Sequence, residues 1–130
     1  LGGFFLVYPL ITTSAFDFPA VWLGFIFLLE PVNYRWGGDS ILKRLEQGNL
    51  QRFSTLFFTG GIMGFLWEFW NFWAGAKWIY HIPVPGRFHI FEMPLLGFLG
   101  FFPFALEFYI MYQSVLLVWK KLNRFRARSH

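Results

Sequence analysis

The amino-acid sequence predicts an all-α polytopic integral membrane protein, with three to four transmembrane helices and one short interfacial amphipathic helix. Its 130 residues are 56% hydrophobic and 14% charged, with 20 Phe and 7 Trp. A soluble domain of this size cannot bury so much apolar surface. Several apolar stretches also approach the roughly 20 residues that cross a bilayer as a helix. We therefore expect a single transmembrane domain over residues 1–130.

The N-terminal part of the chain predicts two apolar helical segments. Residues 1–16 are apolar but slightly short for a span, so they are predicted to cross only partly. Asp17 and Pro19 form a turn, and Pro19 suits the first turn of a new helix because its missing N–H would be unpaired there. The second span is predicted over residues 19–34.

A helix lying on the membrane surface is predicted over residues 39–52. Asp39 or Ser40 can cap its N-terminus, and apolar and charged residues fall on opposite sides of the segment. Gly48 weakens the helix in the middle. A solvated loop is the alternative interpretation of the same residues.

The C-terminal part of the chain predicts two longer spans. The first covers residues 53–76 and the second covers residues 94–119, with a kink expected at Pro103. Residues 77–93 between them form a predicted outer loop, because their prolines and glycine disfavour a helix. Residues 120–130 form a basic tail that is expected to fray.

The basic residues predict the orientation of the chain. Lys and Arg collect on the cytoplasmic side of short membrane loops. The residues before the third span and the C-terminal tail are rich in both, so we expect a multi-pass protein of the bacterial inner membrane with a cytoplasmic C-terminus. This arrangement fits anionic headgroups better than nucleic acid, and the expected headgroup-binding residues are Arg35, Lys43, Arg44, Arg52, Lys120 and Lys121.

Two helix faces combine small residues with a carboxylate. At about 100° per residue, Gly60, Gly64, Glu68 and Asn71 share one side of the third span, where the two glycines allow another helix backbone to come close. Glu107 shares a face of the fourth span with Gly97 and Gly100. The predicted helix-packing residues are Gly60, Gly64, Glu68, Asn71, Gly97 and Gly100.

Glu68 and Glu107 are the candidate chemical groups, since carboxylates within a bilayer are costly. The plainer interpretation of Glu68 is a hydrogen bond to a partner helix, and the alternative is handling of a proton, an ion or a ligand. A shared site of Glu68, Glu107 and Asn71 is a hypothesis, because their depths differ and contact would need tilt or kinking. In the same way, Glu30 is expected to pair with Arg35, or to help form a headgroup pocket.

The predicted outer loop contains His81, His89 and Glu92, which together make a minimal set of zinc ligands. The loop is rich in proline and lacks a His-Glu-x-x-His motif, so we expect no metal and no intrinsic cofactor. His81 or His89 at the membrane rim could still ligate the magnesium of a pigment. Because the chain has no cysteine, it contains no disulfide and no thiolate metal site.

Two stretches of the sequence carry a resemblance. They are Trp22–Arg35, which reads WLGFIFLLEPVNYR, and Trp67–Phe98, which includes WEFWN, KWIYHIP and FEMPLLGF. Together they resemble a group of bacterial multi-pass membrane proteins of unassigned function, over roughly residues 20–112. The acid–Pro pattern near a span start is also similar to lycopene-cyclase-type domains, although the paired acids of those domains are reduced here to Glu92 alone.

The function expected from these observations is that of a structural or accessory subunit in a larger membrane complex, without enzymatic activity of its own. So many large aromatic side chains would pack against partner helices, lipids, quinones or pigments. Nucleic acid is not an expected partner. One alternative is a membrane enzyme that acts on a lipid or isoprenoid through intramembrane carboxylates. Another is a small transporter or proton pathway.

Overall fold

The computed structural model describes residues 1–12, 17, 19–80 and 88–128, and most of these residues are helical. The helices are α1 (Gly2–Thr12), α2 (Pro19–Trp36), α3 (Ile41–Glu46), α4 (Gln51–Trp73) and α5 (Phe101–Arg128). Between α4 and α5 lie two short strands, β1 (His89–Ile90) and β2 (Met93–Pro94), and a 3₁₀-helix over Leu95–Gly100.

Two pairs of packed helices, α1 with α2 and α4 with α5, are antiparallel. In α1 and α2, Gly2 approaches Leu28 while Leu6 approaches Gly24, so these helices are antiparallel. In α4 and α5, Gly64 meets Phe101 while Arg52 lies over Tyr109, so this pair is also antiparallel.

Helices α2 and α5 run in the same direction. The Asn33 side chain donates a hydrogen bond to the carbonyl oxygen of Ile110 (3.0 Å), and further along both helices the Lys121 ammonium lies 4.1 Å from the centre of the Trp36 ring. The C-terminal end of α2 and the N-terminal end of α4 therefore lie beside the middle of α5, and the rest of α5 continues beyond them. We call the basic residues Arg35, Lys43, Arg44 and Arg52 the first basic cluster and those of the last turns of α5 the second, and both lie in this half of the bundle.

The core is small and lies where α2, α3, α4 and α5 meet. Its buried members are Ile41, Leu106 and Ile110, and partly buried side chains from α2, α3 and α4 pack around them. Each buried aliphatic side chain contributes roughly 1.5–3 kcal/mol to stability. Because the core has so few members, the outer faces of the helices remain uncovered.

Two glycines end the helices that precede them. Gly37 follows α2 with φ of +78°, and Gly48 follows α3 with φ of +73°, values that favour glycine over other residues. The predicted interfacial helix over residues 39–52 is therefore shorter than expected, and covers Ile41–Glu46. The predicted cap is present, since the Ser40 hydroxyl accepts a hydrogen bond from the Lys43 N–H (3.1 Å).

The prediction of three to four transmembrane helices is wrong. Within the described residues, one helical stretch is long and apolar enough to cross a bilayer, Leu95–Ala127, in which an 18-residue window has a mean hydropathy of 1.6. Helix α1 has only 11 residues. Helices α2 and α4 are longer, but charged and amide side chains interrupt their apolar sequences.

The last helix also differs from its prediction at both ends. Helix α5 begins at Phe101, so Pro103 lies in its first turn, where proline needs no hydrogen-bonding N–H and causes no kink. Gly97 and Gly100 belong to the preceding 3₁₀-helix. At the other end, the helix continues through Arg128, so most of the predicted frayed tail is helical.

Candidate functional site

The buried face of α4 consists of four residues with small or polar side chains. These are Gly60, Gly64, Glu68 and Asn71, the same four that the helical periodicity groups together. A Cβ atom on Gly60 would lie 2.3 Å from the carbonyl oxygen of Phe101, and one on Gly64 would lie 2.2 Å from the Phe101 ring. The absence of side chains at both positions is what lets α4 and α5 touch.

Glu68 is completely buried and is held by a residue beyond the end of its own helix. The Tyr80 hydroxyl donates a hydrogen bond to Glu68 Oε1 (2.6 Å), and the indole N–H of Trp67 donates to the Tyr80 oxygen (3.3 Å). Burial, followed by the bond to Glu68, raises the pKa of Tyr80 to about 12. Tyr80 therefore stays a neutral donor through the physiological pH range.

Asn71 fixes the backbone that leads from α4 to Tyr80. Its side-chain oxygen accepts a hydrogen bond from the Trp78 N–H (2.7 Å), and its side-chain nitrogen donates to the Trp78 carbonyl (2.8 Å). An amide side chain that pairs with both backbone groups of one residue imitates a strand partner. We call Trp67, Glu68, Asn71, Trp78 and Tyr80 the α4 polar cluster.

The β-hairpin packs beside this cluster through Phe91. This residue has φ of +57°, an unfavourable conformation for a bulky residue that must be held by its surroundings. The Phe91 ring contacts Phe65, Phe69 and Phe72 of α4, at 5.5, 5.9 and 5.5 Å between ring centres. Next to it, Glu92 forms an ion pair with Lys77.

A second polar cluster lies between α2, α3 and α5. Glu30 is nearly fully buried, and its Oε1 atom accepts hydrogen bonds from the Ser40 hydroxyl (2.6 Å) and the Leu42 N–H (2.9 Å). The predicted pairing of Glu30 with Arg35 is therefore replaced by a bond to the start of α3. Residues five apart on a helix point in different directions, which explains why Arg35 is not the partner.

The junction polar cluster, which we define as Glu30, Asn33, Ser40 and Ser114, also reaches α5. Asn33 is fully buried, and its side-chain oxygen accepts a hydrogen bond from Ser114 (2.9 Å) while its nitrogen donates to Ile110. Because both ends of the amide are paired, Asn33 holds α2 against α5 at one register.

Asp39 adds an ion pair at the surface of the junction. Arg44 donates two hydrogen bonds to its carboxylate, at 2.8 and 2.9 Å, and the Tyr109 hydroxyl donates a third (2.8 Å). The Arg44 guanidinium, more than the other neighbours, lowers the pKa of Asp39 below its ordinary value of 3.8. Arg44 is thus engaged within the chain.

The two candidate intramembrane carboxylates are not brought together. Glu68 lies one turn beyond Gly64, while Glu107 lies almost two turns after Phe101, in the opposite direction along the bundle. At 1.5 Å per residue, about 15 Å of helix separates their levels. Glu107 is buried, and it takes part in neither polar cluster. The geometry of the described residues does not form the hypothesised shared site.

Two buried carboxylate oxygens have no hydrogen-bond partner among the described residues, Oε2 of Glu30 and Oε2 of Glu68. The other oxygen of each carboxylate accepts a hydrogen bond from a neighbouring residue. Buried polar atoms usually have partners, so these two atoms are where the clusters could accept one more donor.

Of the three candidate metal ligands in the predicted outer loop, the structure describes His89 and Glu92. No three His, Asp or Glu side chains lie together in the part of the chain that the structure describes. Glu92 is engaged by Lys77, and His89 lies exposed on β1. His81 lies outside the described residues.

Two apolar grooves flank α5. The groove between α4 and α5 has a volume of about 480 Å³ and is lined by Leu56, Gly60, Met63, Phe104, Ala105, Phe108, Tyr109 and Tyr112. The groove between α2 and α5 has a volume of about 410 Å³ and is lined by Phe25, Leu29, Met111, Ser114, Val115, Val118, Trp119 and Leu122. Nearly all the atoms that line both grooves are apolar.

Sequence reasoning misses the hydrogen-bonding partners of the buried polar residues, as Tyr80, Ser40 and Ser114 show. Tyr80 lies in the predicted outer loop, twelve residues after Glu68, and no local pattern joins them. Ser40 was identified only as a helix cap, although it also donates to Glu30. Ser114 gave no signal, because a single serine in an apolar helix is unremarkable until its partner on another helix is known.

Comparison of the chain with protein-family models, with curated proteins and with solved structures finds no match. The geometry of the chain is therefore the basis for the proposals that follow.

Proposed function

We propose that the chain is a structural or accessory subunit of a bacterial membrane protein complex. In this proposal its C-terminal helical stretch anchors it in the cytoplasmic membrane, with the basic C-terminus on the cytoplasmic side. The expected partners are membrane lipids and the helices of other subunits.

The observation that carries the proposal is the open groove between α4 and α5. Phe104, Phe108 and Met63 line it with 55%, 68% and 55% of their surface exposed, and Gly60 contributes no side chain. Exposed aromatic rings supply a large contact area for a further helix. An apolar groove of this kind is a favourable packing site for a partner helix.

The use of polar groups in the interior supports the same proposal. Glu30, Asn33, Glu68 and Asn71 each bond to another element or to the adjoining loop. These hydrogen bonds hold the helices and the loop in fixed positions, which suits a structural subunit. An acid–base mechanism shared by Glu68 and Glu107 is not proposed, because the two carboxylates are about 15 Å apart along the bundle.

Site-specific photocrosslinking in cells tests the proposal. A benzophenone amino acid at Met63 or Phe108 should give a crosslinked product of one defined mass, containing one other polypeptide. Leu10 on α1, which is 72% exposed but lies outside both grooves, is the matched control position and should give no such product. If the groove positions crosslink to no polypeptide, or to the same mixture as Leu10, the proposal is wrong.

A further inference from the structure

We propose that the groove between α2 and α5 is a binding site for an anionic phospholipid. One acyl chain lies in the groove, and the phosphate lies at its basic end, near Lys121 and Arg126. This inference concerns a different face of α5 from the groove assigned to a partner helix, and it does not depend on that assignment.

The shape of the groove fits one acyl chain. From Met111 to Leu122 the α5 wall rises by about 16 Å at 1.5 Å per residue, which matches one leaflet, half of a hydrocarbon core about 30 Å thick. Phe25 and Leu29 of α2 also line the groove, and because they precede Asn33, which lies beside Ile110, they lie toward its Met111 end. The nearly complete absence of polar atoms along the walls suits a hydrocarbon chain and disfavours a polar ligand.

The charges at one end of the groove fit a phosphate. Lys121 follows Val118 by three positions and Arg126 follows Leu122 by four, so both border the C-terminal end of the α5 wall. The Lys121 ammonium stacks over the Trp36 ring at 4.1 Å, and Trp36 continues the face of α2 that carries Phe25 and Leu29. The groove thus ends in a tryptophan ring and a cation, which are the groups that favour the headgroup level of a membrane.

The remaining basic residues of α5 supply a matched control. Lys120 and Arg124 lie on the far side of the helix from the groove, because they follow Val118 by two and six positions. Replacing Lys121 and Arg126 by Gln removes two charges beside the groove. Replacing Lys120 and Arg124 by Gln removes two charges from the same helix and leaves the groove unchanged.

The experiment uses the full chain in phosphatidylcholine vesicles. The chain has no cysteine, so Val115→Cys in the groove and Ile62→Cys on the outer face of α4 can each carry one bimane label. Both side chains are well exposed, at 67% and 62%, and Ile62 lines neither groove. Phosphatidylglycerol with brominated acyl chains is then titrated into the vesicles, and quenching of the label is compared with quenching by brominated phosphatidylcholine.

We expect brominated phosphatidylglycerol to quench the Val115 label at a lower mole fraction than brominated phosphatidylcholine does. The Ile62 label should not distinguish the two lipids. The K121Q/R126Q variant should reduce the preference at Val115 at least about fivefold, since each basic residue near the surface attracts anionic lipid by about that factor. The K120Q/R124Q variant should retain most of the preference.

Equal quenching of the Val115 label by both lipids would overturn the proposal. This comparison uses the chain with all its basic residues, so it does not depend on whether the charge variants fold. A preference that the two double variants reduce equally would also overturn it, because it would then reflect general attraction of α5 to an anionic surface. Failure in either form leaves the partner-helix proposal untouched, because that proposal concerns residues of the α4–α5 groove.

Discussion

At the scale of single residues, the contact between Glu68 and Tyr80 joins the loop after α4 to the buried face of that helix. The carboxylate is fully buried and the tyrosine is its one bonded partner among the described residues. A buried acceptor that loses its donor costs the free energy of desolvation without compensation. The pair is therefore the polar contact in α4 that is most sensitive to substitution.

Replacing Tyr80 by Phe should lower the free energy of unfolding by about 1–3 kcal/mol, because Glu68 Oε1 loses its hydrogen bond. Denaturant titration in mixed micelles, followed by circular dichroism, measures the change. Tyr112→Phe is the matched control: Tyr112 is 54% exposed, and its change should stay within about 0.5 kcal/mol. Equal effects of the two substitutions would contradict the role assigned to Tyr80.

The ion pair of Asp39 and Arg44 should make the free energy of unfolding depend on pH. Because the pKa of Asp39 is lowered in the folded chain, its contribution is complete above the ordinary pKa of 3.8 and is lost as pH falls through the folded-state value. Both side chains are about one-third exposed, so the contribution should be below about 1 kcal/mol. In denaturant titrations, Asp39→Asn should be less stable than the natural chain at pH 7, with a smaller difference at pH 3. A difference that is the same at both pH values would count against this pair.

From the sequence, one can predict which residues share a helix face, but not which residues form hydrogen bonds with them. Helical periodicity groups Gly60, Gly64, Glu68 and Asn71, because all four lie on one helix. It assigns Arg35 to Glu30, since Arg35 is the nearest cation in sequence. The structure instead places Glu30 against the start of α3, and that choice depends on the turn at Gly37, which local spacing does not encode.

At the scale of elements, close approach of α4 and α5 depends on missing side chains. The Phe101 backbone and ring occupy the space where side chains at Gly60 and Gly64 would lie. Gly97 and Gly100 are three positions apart rather than four, and they lie in the 3₁₀-helix before α5 begins and not in a long helix. They therefore do not share a helix face with Glu107, although the periodicity of one continuous helix predicts that they would.

Replacing Gly60 by Ala should destabilise the chain by about 1–3 kcal/mol, because the new methyl group meets backbone that cannot move aside. Gly3→Ala on α1 is the control. A Cβ atom there meets nothing within 4 Å, and alanine is the better helix former by about 1 kcal/mol. Thermal unfolding measured by circular dichroism should therefore show opposite signs for the two variants. A neutral Gly60→Ala variant would mean that α4 and α5 are further apart than described.

At the scale of the whole molecule, the antiparallel packing of α4 against α5 puts the start of α4 beside the middle of α5, so the first basic cluster lies in the same half of the bundle as the basic last turns of α5. The count of spans could not be predicted from apolar composition alone, because α2 uses polar residues to join α3 and α5, and α4 uses them to hold the loop that follows it. Their mean hydropathy falls for that reason, and Leu95–Ala127 remains as the stretch that is long and apolar enough to cross a bilayer among the described residues.

Spin labels can measure this arrangement directly, since the chain has no natural cysteine. A label pair at Gln51 and Tyr112 should give a short distance, because α4 begins near the middle of α5. A pair at Gln51 and Leu96 should be longer by roughly 20 Å, given the rise of 1.5 Å per helical residue. Similar distances for the two pairs, measured by double electron–electron resonance, would contradict the antiparallel packing.

The central claim is that the polar interior joins the helices of this chain while its apolar outer faces pack against other subunits. The most direct measurement is native mass spectrometry of the protein purified from its membrane in a mild detergent. We predict a complex of defined mass, well above the 15.4 kDa of the single chain, that contains at least one other polypeptide in a fixed ratio. A stable single chain that carries only lipid would contradict the claim.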